Sequence, residues 1–593
     1  MNFVKIFLAG LLAFVVGTFL VFFFWIFILL GIAGSMQGTV VVHPGSILKI
    51  DFSEIVTDSP STDPLAGIDL VSLQSTPRLS LMQALRAIEA AKADERIEGI
   101  YLRLNGGGGV TGTALLEELR EALADFKQSG KFVVAYDETY SQGEYYLASV
   151  ADEIYMQPEG AMEWQGLSFD LMFYKGLLDK LDLKVDVFRP TVCKYKSAVE
   201  PYILTGMSEA NRRQMQALTD SMWGTIAGTV SAARGIGLDS LNLLADRLEV
   251  MLSEDALRHR FVDGLLYEDR MKEIFAAKGV EADADGEYEF VTLGGYASQI
   301  GPDLGNLSAP QVAVVYADGG IVDGDASGRD AVYGNALAAT LADVRRDEQV
   351  KAVVLRVNSP GGSALASDVI WREMELLRAE KPVVVSMGSY AASGGYYISC
   401  PADVIVADRM TLTGSIGVFG MYFYTADALR NKLGVTIDGV KSNASADMGV
   451  SSPLTPAERA AVMRGVDKVY ASFTGKVSEG RNLPIEKVLD IAGGRVWSGA
   501  DALAIGLVDG CGGLKTAISL AVDKAGLGAD YRVVEVLDQP TGLAAVLSSL
   551  NVRIREAMTR SELQSLMKDY KKVREALSQR GIVMYWPYEV KVE

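Results

Sequence analysis

A serine between a strand and a helix is the first feature of the sequence that could do chemistry. Residues 383–385 are three consecutive valines, as in a buried strand, and an apolar helical pattern begins at Tyr396. Ser393 lies between them and is followed by Gly394. Glycine lets another backbone approach closely, and the free N–H groups of a first helical turn favour negative charge. The pattern is typical of a nucleophile elbow with its serine exposed at the helix start, although a Gly/Ser turn without chemistry has the same composition.

A nucleophilic serine needs a base, and lysine is the main candidate. The chain has two histidines, His43 and His259, and neither is placed for catalysis, which disfavours a Ser-His-Asp triad. Lys194 and Lys196 lie among apolar residues in the segment 191–203. A lysine base must be neutral, and burial is what lowers its pKa. Alternation along a strand puts both lysines on one side, so the pattern does not choose between them, and two solvated lysines on an edge strand are the alternative.

A glycine-rich turn follows another predicted buried strand. It reads Asn-Ser-Pro-Gly-Gly-Ser at 358–363 and includes Gly361 and Gly362. Such turns present backbone N–H groups that can form half of an oxyanion hole. The similar turn at 105–109 is equally consistent with a tight connection. We prefer a functional role for the turn at 358–363, because a serine follows the next strand.

The elements that position these residues occur twice. Four pairs of segments match in the same order along the chain: 94–96 with 347–349, 101–105 with 354–358, 144–156 with 395–407, and 255–264 with 501–510. Four ordered matches indicate a duplication. Each half alternates strands and helices, which predicts α/β layers. Gln142 aligns with Ser393, so the first half lacks the nucleophile.

The patterns also predict individual elements and domain limits. In the second half we expect strands at 312–316, 352–357, 382–386 and 403–407, and helices at 337–346 and 368–380. Longer helices are expected at 207–234 and 456–481. The join between the halves falls in 279–310. The chain therefore divides into four parts: a membrane anchor at 1–36, a first domain at 45–305, a second domain at 310–540, and a C-terminal helical extension and tail at 541–593.

Composition limits the classes of function. The chain has 593 residues, of which 49% are hydrophobic, so several domains with sizeable cores can form. The net charge is −19, and no Lys/Arg-rich run or zinc-finger spacing occurs, which argues against nucleic-acid binding. The three cysteines, Cys193, Cys400 and Cys511, form neither a disulfide framework nor a metal pattern. We expect all three to be small buried residues, and we expect no metal or cofactor.

An apolar run near the N-terminus is long enough to cross a bilayer. Residues 6–33 carry no charge, and about 20 residues suffice for a span. The run exceeds the roughly 7–15 apolar residues of a signal-peptide core. Residues 34–36 could mimic a cleavage site, but we favour an uncleaved anchor. Lys5 before the run and the acidic Asp51 and Glu54 well after it favour a cytoplasmic N-terminus with the bulk of the chain outside.

Several motifs together resemble one family. They are YKSAVEP at 195–201, NSPGG at 358–362, SYAASGGYY at 389–397, LTGSIGV at 412–418 and GRVWSGADALAIGLVD at 494–509. The set resembles the long, duplicated form of bacterial signal peptide peptidase A, also called protease IV. The resemblance covers nearly all of the chain after the apolar run. It implies two tandem copies of the ClpP/crotonase fold behind an N-terminal transmembrane helix.

The resemblance also implies roles for individual residues. Ser393 matches the nucleophile, and Lys196, rather than Lys194, matches the general base. Ser415 matches the serine that orients the lysine. Three glycines match the source of the oxyanion N–H groups: Gly361, Gly362 and Gly394.

The same resemblance implies a biological setting. Members of the family are membrane-anchored homotetramers that need no cofactor, and their substrates are signal peptides and other apolar peptides. We therefore expect a single-pass protein of the bacterial inner membrane with its catalytic domains on the periplasmic side.

Two other classes of protein can be built on this fold. A crotonase-type acyl-CoA enzyme would use a similar oxyanion hole but usually needs carboxylates, and no carboxylate pair flanks 358–363. A CoA-binding basic cluster is not evident either. A non-catalytic membrane scaffold is disfavoured by the intact set of Ser393, Lys196 and Ser415.

Overall fold

The structure is a computed structural model that describes residues 17, 41–61, 77–104, 109–301, 306–325, 331–449, 453–537 and 581–585. The expected anchor at 1–36, apart from Gly17, and most of the expected C-terminal extension lie outside these residues. Among the residues described, no helix combines the length and the apolar character that a membrane crossing requires.

The first domain is built on a six-stranded parallel sheet. Its strands, labelled β1 to β10 in chain order, are Ser46–Ile50, Ile55–Thr57, Arg78–Ser80, Ile97–Leu102, Gly109–Val110, Phe132–Tyr140, Glu153–Met162, Lys184–Phe188, Gly264–Leu265 and Phe290–Thr292. The sheet runs in the order β10-β1-β4-β6-β7-β9. Its α-helices are Leu81–Ala93, Thr113–Lys127, Gln142–Ala148, Lys175–Lys180, Glu200–Ile203, Glu209–Arg234, Leu238–Asp246, Ser253–Arg258, Met271–Ala277 and Leu293–Ile300.

The second domain repeats this sheet. Strands β11 to β22 are Gln311–Asp318, Gly320–Val322, Ala331–Tyr333, Val350–Ser359, Gly361–Ser363, Val383–Ala392, Val404–Ala407, Leu412–Gly414, Phe419–Tyr424, Val496–Ser498, Gly510–Cys511 and Arg532–Val536. Parallel pairs connect β22-β11-β14-β16-β17-β21, the same order as in the first domain. The helices are Gly334–Arg346, Ala364–Glu380, Gly394–Ser399, Ala426–Leu433, Pro456–Gly480, Ile485–Ile491, Gly499–Ile505 and Leu514–Lys524. The α/β layers and the duplication predicted from the sequence are therefore confirmed.

One strand continues further than the sequence pattern indicated. The strand expected at 382–386 is β16, which extends through Ala392 to the residue before Ser393. Its second part, beyond Gly388, pairs with β18, and this pairing keeps the chain extended. The longer strand carries the chain to the candidate nucleophile. Both long helices are found, as Glu209–Arg234 and Pro456–Gly480.

A third sheet joins the two domains. Its order is β13-β12-β15-β23-β19-β8, where β23 is Gly581–Tyr585. Strand β8 belongs to the first domain and pairs antiparallel with β19 of the second. This pairing holds the segment after β8, which contains both candidate lysines, against the second domain.

The cysteines are not all buried as expected. Cys193 and Cys400 are buried, whereas Cys511 is exposed. Cys511 ends β21, which pairs only with β17 in the described sheet, and this edge position leaves its side chain open to solvent.

Candidate active site

Ser393 lies at a sharp junction between β16 and the helix Gly394–Ser399. Its backbone has φ 56° and ψ −111°, an unusual conformation for a residue other than glycine, and such strain concentrates at functional sites. Its N–H donates to the Gly414 carbonyl at 2.8 Å. The expectation of an exposed serine is wrong, because Ser393 is 0% exposed. The surrounding elements therefore enclose the Ser393 hydroxyl and separate it from solvent.

Lys196 reaches this serine from the first domain. The segment around it is not the edge strand considered above but a turn followed by a 3₁₀ helix at Ser197–Val199. Lys194 is exposed, whereas Lys196 is 1% exposed. The Lys196 Nζ atom lies 2.6 Å from the Ser393 Oγ atom. The structure thus distinguishes Lys196 from Lys194, a choice that the sequence pattern left open.

Ser415 completes the group at the end of β18. Its Oγ and its carbonyl oxygen lie 2.9 Å and 3.0 Å from Lys196 Nζ, and both accept hydrogen bonds from the amine. Ser415 has φ 50°, and its N–H donates to the Arg495 carbonyl at 2.7 Å. The two hydroxyls and the carbonyl thus fix the direction of the amine.

Burial sets the charge of the lysine. Removal from water disfavours the ammonium form and lowers the pKa of Lys196 to about 7, while the nearby Cys193 acts in the opposite direction. The three hydrogen-bond partners of Nζ described above are uncharged oxygens, which compensate the ammonium less than a carboxylate would. A large fraction of the amine is therefore neutral near pH 7 and can accept a proton.

The glycine-rich turn lies beside the serine. A β-carbon on Gly394 would lie 3.1 Å from both the Gly361 Cα and the Gly362 N, so the three glycines are in contact. Gly361 has φ 96°, which favours glycine. Its N–H donates to the Ser359 hydroxyl at 3.2 Å and is engaged within the turn. Gly362 and Gly394 are therefore the better candidates for oxyanion donors.

The equivalent place in the first domain has a structural role. Gln142 is buried at the start of the helix Gln142–Ala148. Its amide donates to the Gly166 carbonyl at 2.8 Å, and its oxygen accepts from the N–H groups of Gln165 and Gly166 at 3.0 and 2.8 Å. The side chain secures a loop where the second domain has its serine.

Sequence reasoning did not identify the backbone contacts that hold Lys196 in place. A β-carbon on Gly494 would lie 2.5 Å from the Lys196 Cβ and 2.6 Å from its backbone N. The Arg189 guanidinium donates to the Lys196 carbonyl at 2.8 Å, and the Tyr195 N–H donates to Gly493 O at 3.0 Å. The consecutive glycines at 493 and 494 were the available signal, since such pairs often mark close backbone contact.

Comparison with known proteins identifies the family. The chain matches peptidase family S49 over residues 125–281 and again over 375–528, together just over half of its length. The chain belongs to peptidase family S49. The first matched region contains Lys196, and the second contains Ser393 and Ser415. The family expected from the sequence motifs is confirmed, with its tandem arrangement.

Relatives within family S49 match over most of their length. The chain is 37% identical to "Protease 4" of Salmonella typhi over 533 residues, which cover 88% of this chain and 84% of the relative. It is 36% identical to "Protease 4" of Haemophilus influenzae over 506 residues, covering 82% and 80%. It is 33% identical to "Serine protease SPPA, chloroplastic" of Arabidopsis thaliana over 481 residues, covering 80% and 70%. These lengths fit the two-domain form of the family.

Proposed function

We propose that this chain is a serine peptidase that degrades signal peptides through a dyad of Ser393 and Lys196. The observation that carries the proposal is the 2.6 Å separation of Nζ and Oγ, both belonging to buried side chains. A buried lysine with a lowered pKa beside a serine hydroxyl is an activated nucleophile. The protease names of the full-length relatives support the same activity.

The first half of the reaction forms an acyl-enzyme. Neutral Lys196 takes the proton of Ser393 while Oγ attacks the peptide carbonyl carbon. The Gly362 and Gly394 N–H groups hold the resulting oxyanion, and loss of one such donor typically raises the barrier by about 3–4 kcal/mol. The protonated lysine then gives its proton to the leaving amine. Ser415 keeps the amine directed at Ser393 throughout.

The second half restores the enzyme. Water attacks the ester carbonyl, and Lys196 again acts as base, so a single amine serves both steps. The proton returns from Lys196 to Ser393 Oγ as the ester bond breaks, which frees the peptide acid and regenerates the starting dyad.

The proposed substrates are apolar signal peptides left in a membrane after secretion. The apolar run at 6–33 would anchor the enzyme in the bacterial inner membrane beside such peptides, with both domains on the periplasmic side. A homotetramer is the proposed assembly, as the family resemblance implies. These parts of the proposal rest on the sequence and the resemblance.

Substitution of the dyad tests the mechanism. We expect Ser393→Ala and Lys196→Ala each to lower kcat/KM for a fluorogenic signal peptide by about 10³-fold or more, because each removes a reacting group. Lys194→Ala is the matched control, since the exposed Lys194 lies two residues away, and it should retain turnover. Circular dichroism should show that all three variants are folded.

The rival classes give different results in two further assays. Fluorophosphonate labelling of wild type but not of Ser393→Ala would exclude a non-catalytic scaffold. Hydrolysis of acyl-CoA thioesters without peptide turnover would instead support the crotonase-type enzyme. Undiminished peptide turnover by either dyad variant would remove that residue from the mechanism.

A further inference from the structure

A buried glutamine of the first domain contacts the chain on both sides of the proposed base. Gln214 lies in the second turn of the helix Glu209–Arg234 and is 1% exposed. Its Nε2 donates to the Tyr195 carbonyl at 3.1 Å and to the Ser197 hydroxyl at 3.0 Å. These two residues come immediately before and after Lys196. One side-chain amide therefore holds the backbone segment from which the lysine extends.

The same amide is bonded to the second domain. Gln214 Oε1 accepts a hydrogen bond from the Val496 N–H at 3.3 Å. Val496 begins β20 and lies opposite Gly414 of β18 in an antiparallel pair. The Gly414 carbonyl accepts the N–H of Ser393, and the next residue, Ser415, accepts from the lysine amine. A single side chain thus links the lysine segment to the strand pair that supports both serines of the site.

Further buried hydrogen bonds fix the glutamine itself. Its Nε2 lies 3.0 Å from the Oδ1 atom of Asn211, three residues earlier on the same helix. The Asn211 amide donates to the Glu200 carboxylate at 3.1 Å, and the Ser208 hydroxyl donates to the same carboxylate at 2.6 Å. Asn211 is 0% and Glu200 2% exposed. Buried polar groups that satisfy one another favour one geometry, because another arrangement would leave some of them without partners.

The contacts need a side chain that donates and accepts at the same time. An amide has N–H donors and a carbonyl acceptor on one planar group. Methionine has a similar length but has no N–H or O–H donor and only a weak acceptor. In its place the Tyr195 carbonyl, the Ser197 hydroxyl and the Val496 N–H would each lose this partner. The lysine segment would then be free to shift relative to β20.

We propose that Gln214 is a positioning residue of the dyad, which sets the place of the Lys196 amine relative to Ser393. The inference rests on the proposed peptidase function and adds a residue to it. A misplacement of about 1 Å can cost about 10²-fold in rate. Proton transfer depends on the distance from Nζ to Oγ, whereas substrate binding does not. Gln214, whose own side chain is enclosed, therefore acts on kcat and not on KM.

Steady-state kinetics of the full-length chain with a fluorogenic signal peptide test the proposal. We expect Gln214→Met to lower kcat by about 10- to 100-fold and to keep KM within about twofold of wild type. Gln216→Met is the matched control, because Gln216 lies on the same helix, is exposed and donates to Asp220 at 2.8 Å. This control should turn over like wild type. The end point of fluorophosphonate labelling counts folded sites, and kcat is expressed per labelled chain.

A glutamine that only stabilises the fold would give a different result. Gln214→Met would then have a lower melting temperature and fewer labelled chains, but an unchanged kcat per labelled chain, and this result would overturn the proposal. A rise in KM alone, or equal loss in Gln216→Met, would also contradict it. Each of these outcomes leaves the proposed function intact, whereas absence of turnover by wild type would overturn both.

A milder variant decides the question if Gln214→Met does not fold. Ser197→Ala removes one hydrogen-bond partner of Gln214 and leaves the glutamine in place. We expect it to lower kcat by about threefold or more at unchanged KM, because the segment that carries Lys196 is held less firmly. A kcat equal to that of wild type in this folded variant would count against the positioning role.

Discussion

At the scale of single residues, two nearby lysines differ in exposure, and only the buried one belongs to the site. Lys194 is exposed, and Lys196, two positions later, is enclosed with its amine directed at Ser393. An exposed lysine stays charged at neutral pH and cannot act as a base. Burial of Lys196 is thus what would allow its amine to act as the proposed base.

The pH dependence follows from the lowered pKa of that amine. The neutral form is the reactive one, and the pKa of Lys196 is about 7 rather than its ordinary value of 10.5. The fraction of neutral amine, and with it kcat/KM, should therefore rise tenfold per pH unit below about pH 7 and level off above it. Initial rates measured between about pH 5 and pH 10 check this. A profile that is flat over that range would count against a lysine base.

Part of this residue-scale picture was available from the sequence. Ser393 could be selected because a small residue followed by glycines lies between a strand and a helix. The choice between Lys194 and Lys196 could not be made from alternation, because the segment is a turn and a 3₁₀ helix rather than a strand. The family motif, and not the periodicity, favoured Lys196.

At the scale of elements, backbone contacts position the dyad. The turn that contains Gly494 packs directly on the backbone of Lys196 and leaves no room for a side chain. Its φ of 82° also lies in the left-handed region. Glycine is therefore favoured at position 494 both by the left-handed backbone conformation and by the close contact with Lys196.

Gly494→Ala should damage stability and activity together. The left-handed conformation costs about 1–2 kcal/mol with a β-carbon, and overpacking adds about 1–3 kcal/mol. A shift of the lysine by about 1 Å should lower kcat by about 10²-fold. Gly526→Ala is the matched control, since Gly526 has φ 62° with nothing within 4 Å of a β-carbon. Equal loss of activity in the two variants would show that the Gly494 contact does not position Lys196.

Local elements were predictable to a greater extent than their assembly. Continuous valine runs and helical periodicity indicated the central strands and the long helices, because these signals are local. The antiparallel pairing of β8 with β19 joins residues more than two hundred positions apart and has no local signature. It is this pairing that holds the lysine segment against the serine.

At the scale of the whole molecule, a buried ion network joins the two domains. The Arg356 side chain is fully buried, and its guanidinium contacts the Asp58 and Glu118 carboxylates at 2.6 and 2.7 Å. It also donates to the Ser386 hydroxyl at 2.8 Å. The arginine lies on β14 of the second domain, and both carboxylates come from the first.

Removal of this arginine should be strongly destabilising. Arg356→Ala leaves two buried carboxylates without their partner, and we expect a loss of about 3–5 kcal/mol. Arg346→Ala is the control, because that arginine is 66% exposed in its ion pair with Asp343 and should contribute at most about 1 kcal/mol. Urea unfolding of both variants measures the difference. Similar losses would mean that the interface does not depend on the network.

The amine that would activate the serine comes from the domain synthesised first, and the hydroxyl comes from the domain synthesised second. A nascent polypeptide that has completed only the earlier fold thus has neither the serine nor the second-domain residues that enclose the lysine amine. Peptidase activity through the proposed dyad would therefore require both domains to be synthesised and assembled.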